Sequence, residues 1–584
     1  MKKRYSLPLW IAASAVLGVS LVSCALGSAS SDSAKENDIG TVVDEVPTDD
    51  EQFNDSDTKD VSEEEENATI TVSDESGTIS DTTRGSSGSV VTITSKGTYR
   101  VTGTSKNVQI LINDETKSGN VYLILDNVRM TNANSACIYV KNADKVILQC
   151  VGENSITSTN TSAVSDDDNS IDAAIFACDD LTINGEGSLT VNSKLHGIVC
   201  KDDLKITGSV LNITASKKGI DVNDSVRIGG GATTINASRD GIQVENSKLD
   251  SYFYMDGGSL DITAGYDGID VGTSATSGTF AGSLTVAGGE IEITAGGGSS
   301  KSQSSTSQKG LKCEGDIYVG DATITVSSAD DAIHSNASIS VTDGTLTLSS
   351  SDDGIHADSK LKISGGTVKV NKSYEGLEAY YVELSGGKTS VYASDDGINA
   401  AGGSDTSSSD NPWSRGASSS TGTLTISGGE HYINASGDGL DSNGNLFVTG
   451  GTTIVEGPTD NGNGPLDVGD NGNYASVTGG TLLAIGSSGM AVNFSQGNQC
   501  AGLVSLSGSK GTTISVNDGS GFSFTASKSF ACAVYTSSKM SKGSSYTITA
   551  GSSSATMSFT SSYFYSNVGG GGGGGSQPGG PGRH

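Results

Sequence analysis

The chain is poor in apolar and aromatic residues. Of 584 residues, 34% are hydrophobic, 5% are aromatic and only seven are proline. That apolar share lies below the roughly 45–50% usual for a globular domain, which excludes a thick core. Val, Ile and Thr still recur at short intervals, so the chain is not disordered throughout. A thin core repeated many times fits better. Cationic residues are also scarce: 35 Lys and Arg stand against 67 Asp and Glu, a net charge of −32. Phosphate recognition needs a basic surface, so nucleic acid is excluded as a partner. Cations, or ligands that bind through cations, are the partners such a surface favours, although acidity also serves solubility. No CxxC pair is present, and no segment beyond residue 22 is apolar enough to span a membrane.

What is present begins with a leader. Lys2, Lys3 and Arg4 precede an apolar run from Leu7 to Val22, too short for a comfortable span and ending in Leu21-Val22-Ser23-Cys24. This resembles a bacterial lipoprotein signal (residues 1–23), with Cys24 as the lipidated residue and the protein held outward-facing on the cell envelope by the lipid alone. Residues 24–87 are polar and acidic, including Glu63-Glu64-Glu65-Glu66, and read as a disordered tether. Residues 568–584 are a flexible glycine-rich tail.

Between these ends lies a repeat. The glycine of a "DGI" element recurs at Gly197, Gly219, Gly241, Gly268, Gly310, Gly354, Gly376, Gly397 and Gly439, with Ala332 in the equivalent place. The steps are 22, 22, 27, 42, 22, 22, 22, 21 and 42, a period of about 22 with inserts at Gly272–Gly282, Gly296–Gln308 and Gly402–Gly422. A second mark keeps phase: Gly258, Gly344, Gly366, Gly387 and Gly429 each close a turn ten residues before the next repeat glycine. Between marks the chain alternates, as in Leu361, Ile363, Val368 and Val370, which is strand periodicity. Helical repeats and propeller blades are longer. The fold expected is an all-β parallel β-helix over residues 88–500, in which Ile333, Ile355 and Leu377 stack, closed by a β-rich cap at 501–567. Seven cysteines follow Cys24, an odd number. Cys200 and Cys313 fall where other coils carry Val222, Val244 or Ala357, and read as small core residues. Cys178 is off that register by one.

A coil repeat turns alignment into spatial prediction, because equivalent residues lie about 4.8 Å apart. Before the repeat glycines stand Asp267, Asp330-Asp331, Asp352-Asp353, Glu375, Asp395-Asp396 and Asp438. Two residues after them stand Asp270, Glu378 and Asp441. Stacked carboxylates repel. A lone Asp-Gly is a common turn in which Asp caps its own backbone. A ladder of double acids calls for a hard divalent cation instead, and calcium accepts six to eight oxygens in a tolerant geometry. His334 and His356, one coil apart, leave open a zinc site shared by two histidines.

The stretches "GTYRVTGTSKNVQILI", "NVYLILDNVRMTNANSACIYVKNADKVIL", "SxDDGI(H/N)A" and "LxISGGT" together resemble the secreted carbohydrate-binding β-helix domains of cellulose-degrading clostridia, over about residues 90–565. The resemblance implies a right-handed parallel β-helix similar to pectate lyases that binds calcium and either cellulose or polygalacturonate-like polysaccharides. The expected protein is a monomeric, non-catalytic, calcium-binding and polysaccharide-binding cell-surface lipoprotein. Weak sugar-contact candidates are Lys217, Lys218 and Arg239 for uronates, and Tyr266, Tyr374 and Trp413 for stacking. Tyr266 and Tyr374 occupy the same repeat position. One alternative is a polysaccharide lyase, which pairs calcium with a Lys or Arg base. The other is an adhesin or stalk without a sugar ligand.

Overall fold

The computed structural model describes residues 52–167, 169–248, 251–273, 282–401, 422–469, 472–566 and 568. Cys24, Trp413, the leader, most of the 272–282 and 402–422 inserts and nearly all of the glycine tail lie outside them. The described chain is all-β, with parallel strands wound round a closed core. One coil shows the pattern. After Gly219 come strands Ile220–Val222, Ser225–Ile228 and Ala232–Ala237, one on each of three faces. Each pairs in parallel with its counterpart in the next coil, as Ile220 with Ile242, Val226 with Phe253 and Ile235 with Ile262. The column Ile333, Ile355, Leu377 forms as expected. Cys200 stacks on Val222 and Cys313 on Val271, both buried. All seven described cysteines are free thiols. Cys178 packs outward, against a side cluster that holds Tyr139, Phe176 and Val199.

The two repeating glycines serve different needs. Gly344, Gly366, Gly387 and Gly429 have φ between 68° and 88°, a left-handed turn that glycine adopts without strain. The "DGI" glycines do not turn this way. They are small because neighbours press on them. A Cβ on Gly354 would lie 2.5 Å from the carbonyl of Gly376 and 2.6 Å from a methyl of Val370. Gly219, Gly241, Gly268, Gly376, Gly397 and Gly439 each meet a β-branched Val or Ile in the same way. The coil that carries Ala332 has Leu348 at that position, between Val326 and Val370. Leucine branches one carbon further out, which relieves one of the two clashes and lets alanine stand there.

Residues 52–87, expected within the tether, are folded. Strand Ala68–Asp74 pairs in parallel with Gly97–Lys106 and antiparallel with Ser76–Ile79, closing the first coil. Ahead of it, residues 52–66 lie as a strap across the second face. The Gln52 carbonyl accepts from Arg227, Phe53 packs near Tyr254, and the Asp60 side chain and the backbone N–H of Val61 bond Gln149. Asp57 is fully buried between the ammonium groups of Lys145 and Lys205, and Thr182 donates to it at 2.7 Å. Burial would raise its carboxyl, but the Asn54 backbone N–H and Lys145 hold it down to about 2. The acidic composition that reads as solvated is matched here by lysines far along the chain.

At the other end, Thr481–Gly486 pairs antiparallel with Phe530–Ser537. A four-stranded antiparallel sheet (Thr513–Val516, Ser523–Thr525, Ser545–Ala550, Ser553–Ser558) carries its own core. Both ends of the stack are thereby covered.

Two stability tests follow from this packing. Gly354→Ala should cost about 1–3 kcal/mol by overpacking, and adding Val370→Leu should recover part of the loss in a urea melt. Asp57→Ala leaves two lysines buried without their counter-charge and should cost about 3–5 kcal/mol; an unchanged melt would show that the strap is not docked.

Candidate functional site: a buried charge column on the first face

The residue two places after each repeat glycine faces outward from the first face. The register stacks these in order: Asp221, Gln243, Asp270, Lys312, His334, His356, Glu378, Asn399 and Asp441. Beside them run the acids that precede the glycines. Asp267, Asp331, Asp353 and His356 are buried, as is the side chain of Asp330. The insert at 296–308 folds over the column, with Ser307 donating to Asp267 at 2.7 Å and Gln303 to Asp330 at 2.9 Å.

The lower half of the column is neutralised by the chain itself. Lys312 lies 3.1 Å from Asp270 and 3.4 Å from Asp267. Lys309 lies 3.1 Å from Asp330 and bonds Asp331. Burial would push the Asp331 carboxyl up, yet Lys309 and a 2.8 Å bond from His334 hold it well below the usual range. Two lysines in the repeat register thus stand against these four acids, for which a cation was expected, while burial still raises the Asp267 carboxyl. Asp352 lies with Asp330 and Asp331 in one tight acid group, next to that lysine.

The upper half differs. Among the described residues no lysine or arginine pairs with Asp353, Glu378, Asp396, Asp438 or Asp441. Burial first, and neighbouring carboxylates second, push Asp396 up to about 8 and Asp441 well above its ordinary value. Burial also pushes Asp438 to about 6 and raises Asp353 and Glu378. Asn399 donates to Glu375 at 2.8 Å, while its own amide oxygen is buried with no partner. That oxygen stands in register between Glu378 and Asp441. A buried, orphaned oxygen in register with half-buried carboxylates offers oxygen donors alone, which fits a hard cation such as calcium. Asp395 sits beside Asp396 and adds to its upward shift.

The basic candidates for sugar contact lie among ion pairs or at the surface. Lys217 pairs with Asp172 at 3.2 Å, and Lys218 with Asp221 at 3.0 Å and with Gln243. Arg239 is exposed. Tyr266 and Tyr374 share a repeat position but stand four coils apart, about 19 Å at the sheet spacing, too far to form one platform. Tyr374 is 39% exposed. The sequence reading passed over three features. Asp180, Asp202 and Asp203 form a second acid group, where Asp202 is pushed to about 7 by burial and Asp180. The doublets Asp179-Asp180 and Asp202-Asp203, 23 residues apart, were its signal. An open groove of about 620 Å³ runs along the glycine turns, lined by Asp343, Thr345, Thr367, Lys388 and Glu430. Tyr392, 46% exposed, stands on the same strand as Lys388.

The sequence matches the family model described as carbohydrate-binding domain-containing protein over residues 87–354 and 352–521. The chain belongs to that family. A curated carbohydrate-binding domain-containing protein from Acetivibrio thermocellus is 40% identical over 129 residues, 21% of this chain. The match spans 45% of that relative's length. A solved chain described as the polysaccharide lyase-like protein from C. thermocellum, gadolinium derivative, is 30% identical. That alignment covers 44% of this chain and 96% of the solved one, with a TM-score of 0.36.

The upper column of this carbohydrate-binding family member sets a pH dependence. Its acids keep their protons to higher pH when folded than the unfolded chain, whose carboxyls titrate near about 4. The folded state then binds more protons between about pH 4 and 8, and stability falls as pH rises through that window. In chelator, the thermal midpoint should drop from about pH 5 to 8, and calcium should reverse the drop. A midpoint that rises with pH in chelator would contradict the assignment.

Proposed function

We propose that the protein is a non-catalytic, polysaccharide-binding lipoprotein of the bacterial cell surface, built as a right-handed parallel β-helix and held by calcium in its upper acid column. Membership of the carbohydrate-binding family carries the sugar-binding reading. The parallel register from coil to coil supports the β-helix. Calcium would be held by Asp396, Asp438 and Asp441 with the amide oxygen of Asn399 and with Glu375 at the rim, supplying the positive charge that no described lysine gives there. The lipid anchor on Cys24 and the outward-facing location rest on the leader sequence. Among the described residues no helix is long and apolar enough to cross a membrane.

The glycan surface we assign is the groove of the glycine turns, extended along the strand from Lys388 to Tyr392. Its floor steps at the sheet spacing along Gly344, Gly366, Gly387 and Gly429, which carry no side chains of their own, so an extended chain can lie against it. Thr345, Thr367, Lys388 and Glu430 offer hydrogen bonds, and Tyr392 offers a stacking face. Ion pairs occupy Lys217 and Lys218, and a lyase base must be free to take a proton; of the basic residues weighed for that role Arg239 is exposed.

Retention on insoluble cellulose and on cross-linked polygalacturonate, with and without chelator, tests the reading. Wild type should be retained on at least one. Tyr392→Ala should weaken retention about fivefold, the worth of an aromatic contact of about 1 kcal/mol. Chelator should lower both retention and melting temperature. No retention on either glycan, or release of unsaturated uronates from polygalacturonate, would overturn it.

A further inference from the structure

His334 and His356 stack face to face one coil apart, ring centroids 4.8 Å and planes 12° from parallel. Their ring nitrogens meet different surroundings. His334 presents Nδ1 to Asp331 at 2.8 Å and Nε2 to Asn336 at 2.9 Å. His356 presents Nδ1 to two carboxylates at once, Glu378 Oε2 at 2.9 Å and Asp353 Oδ2 at 3.1 Å. An imidazole nitrogen has a single in-plane position, either one hydrogen or one lone pair. One hydrogen could serve both carboxylate oxygens only as a shared, three-centre bond. The other Asp353 oxygen is buried with no partner, in a residue only 4% exposed. The far nitrogen of His356 lies 3.2 Å from Asp358. With an ion bound, a hydrogen on Nε2 facing that carboxylate would leave the Nδ1 lone pair for the side of Asp353 and Glu378, the outer arrangement that metal-bound histidines adopt.

We infer that Nδ1 of His356, the Asp353 carboxylate and the Glu378 carboxylate bind a transition-metal ion of the zinc class. One ligand atom from each of the three lies within 4.8 Å of the others. A ring nitrogen with two carboxylates selects such an ion over calcium, which takes oxygen donors. The two histidines do not share an ion, because His334 Nδ1 is engaged by Asp331 on its own coil. Glu378 is the half-buried member, so the ion enters from its side. Asp358 is a positioning residue that acts through His356. The site deepens the cation reading of the column but uses different ligands from the calcium assigned to Asp396, Asp438, Asp441 and Asn399.

The test uses the full chain, stripped with chelator and dialysed into millimolar calcium. Cobalt(II) is added stepwise while visible absorption is recorded. Wild type should show ligand-field bands that saturate at one equivalent despite the calcium and vanish on adding zinc. His356→Gln should abolish the bands. Asp358→Asn should weaken cobalt binding about 10–100-fold and shift the bands, which loss of a purely structural bond would not do. Should His356→Gln fail to fold, Glu378→Gln serves in its place, with an expected loss of at least tenfold. Asp441→Asn should leave the bands unchanged while removing the calcium-dependent gain in melting temperature. Bands that persist in the folded His356→Gln or Glu378→Gln variant, or that millimolar calcium displaces, would overturn the site. A melt insensitive to calcium with the cobalt bands intact would instead remove the calcium assignment alone.

Discussion

The structure depends on one constraint: each strand hydrogen-bonds to the same strand one coil away. The backbone ladder sets the spacing and leaves each residue type stacked on its own kind. Apolar positions become a continuous core only one coil wide, which is why a chain with so little apolar content can fold. The ladder also brings the carbonyl of one repeat glycine against the α-carbon of the next. That contact, with a β-branched neighbour pressing from the third face, excludes larger residues at the "DGI" position. Leu348 opposite Ala332 shows how local the rule is.

The same ladder concentrates charge. A surface acid is cheap, but a column of them buried under an inserted loop is not. The chain answers in two ways. In the lower coils Lys309 and Lys312 replace acids within the column and reach the carboxylates above and below. In the upper coils it leaves oxygens and one ring nitrogen facing each other with no lysine among the described residues. Lysine and unpaired acid thus alternate at the same repeat positions from coil to coil.

Much of this was legible in the sequence. Period, glycine marks and strand alternation gave the stacking, down to Ile355 between Ile333 and Leu377 and to Cys200 and Cys313 in the core. The column of acids was legible for the same reason, since register converts position into neighbourhood. What escaped was contact across the repeat. Asp57 looked solvated because its partners, Lys145 and Lys205, are some 90 and 150 residues away in the chain. Lys309 and Lys312 were in the register, but their reach to both neighbouring coils depends on side-chain direction. The unpartnered oxygen of Asn399 is likewise a property of burial, which no pattern of letters encodes.

The strap has a mechanical consequence. Residues upstream of Gln52 do not lead directly to the first coil. A pull on them is met first by Arg227 and by the ring of Phe53 beside Tyr254, and next by the Asp57 ion pairs, all well inside the stack. Because the strap runs across several coils before reaching strand Ala68–Asp74, such a load is spread as shear over many strands. Peeling the terminal strand, the weakest way to open a solenoid, is avoided until the strap itself has been torn away.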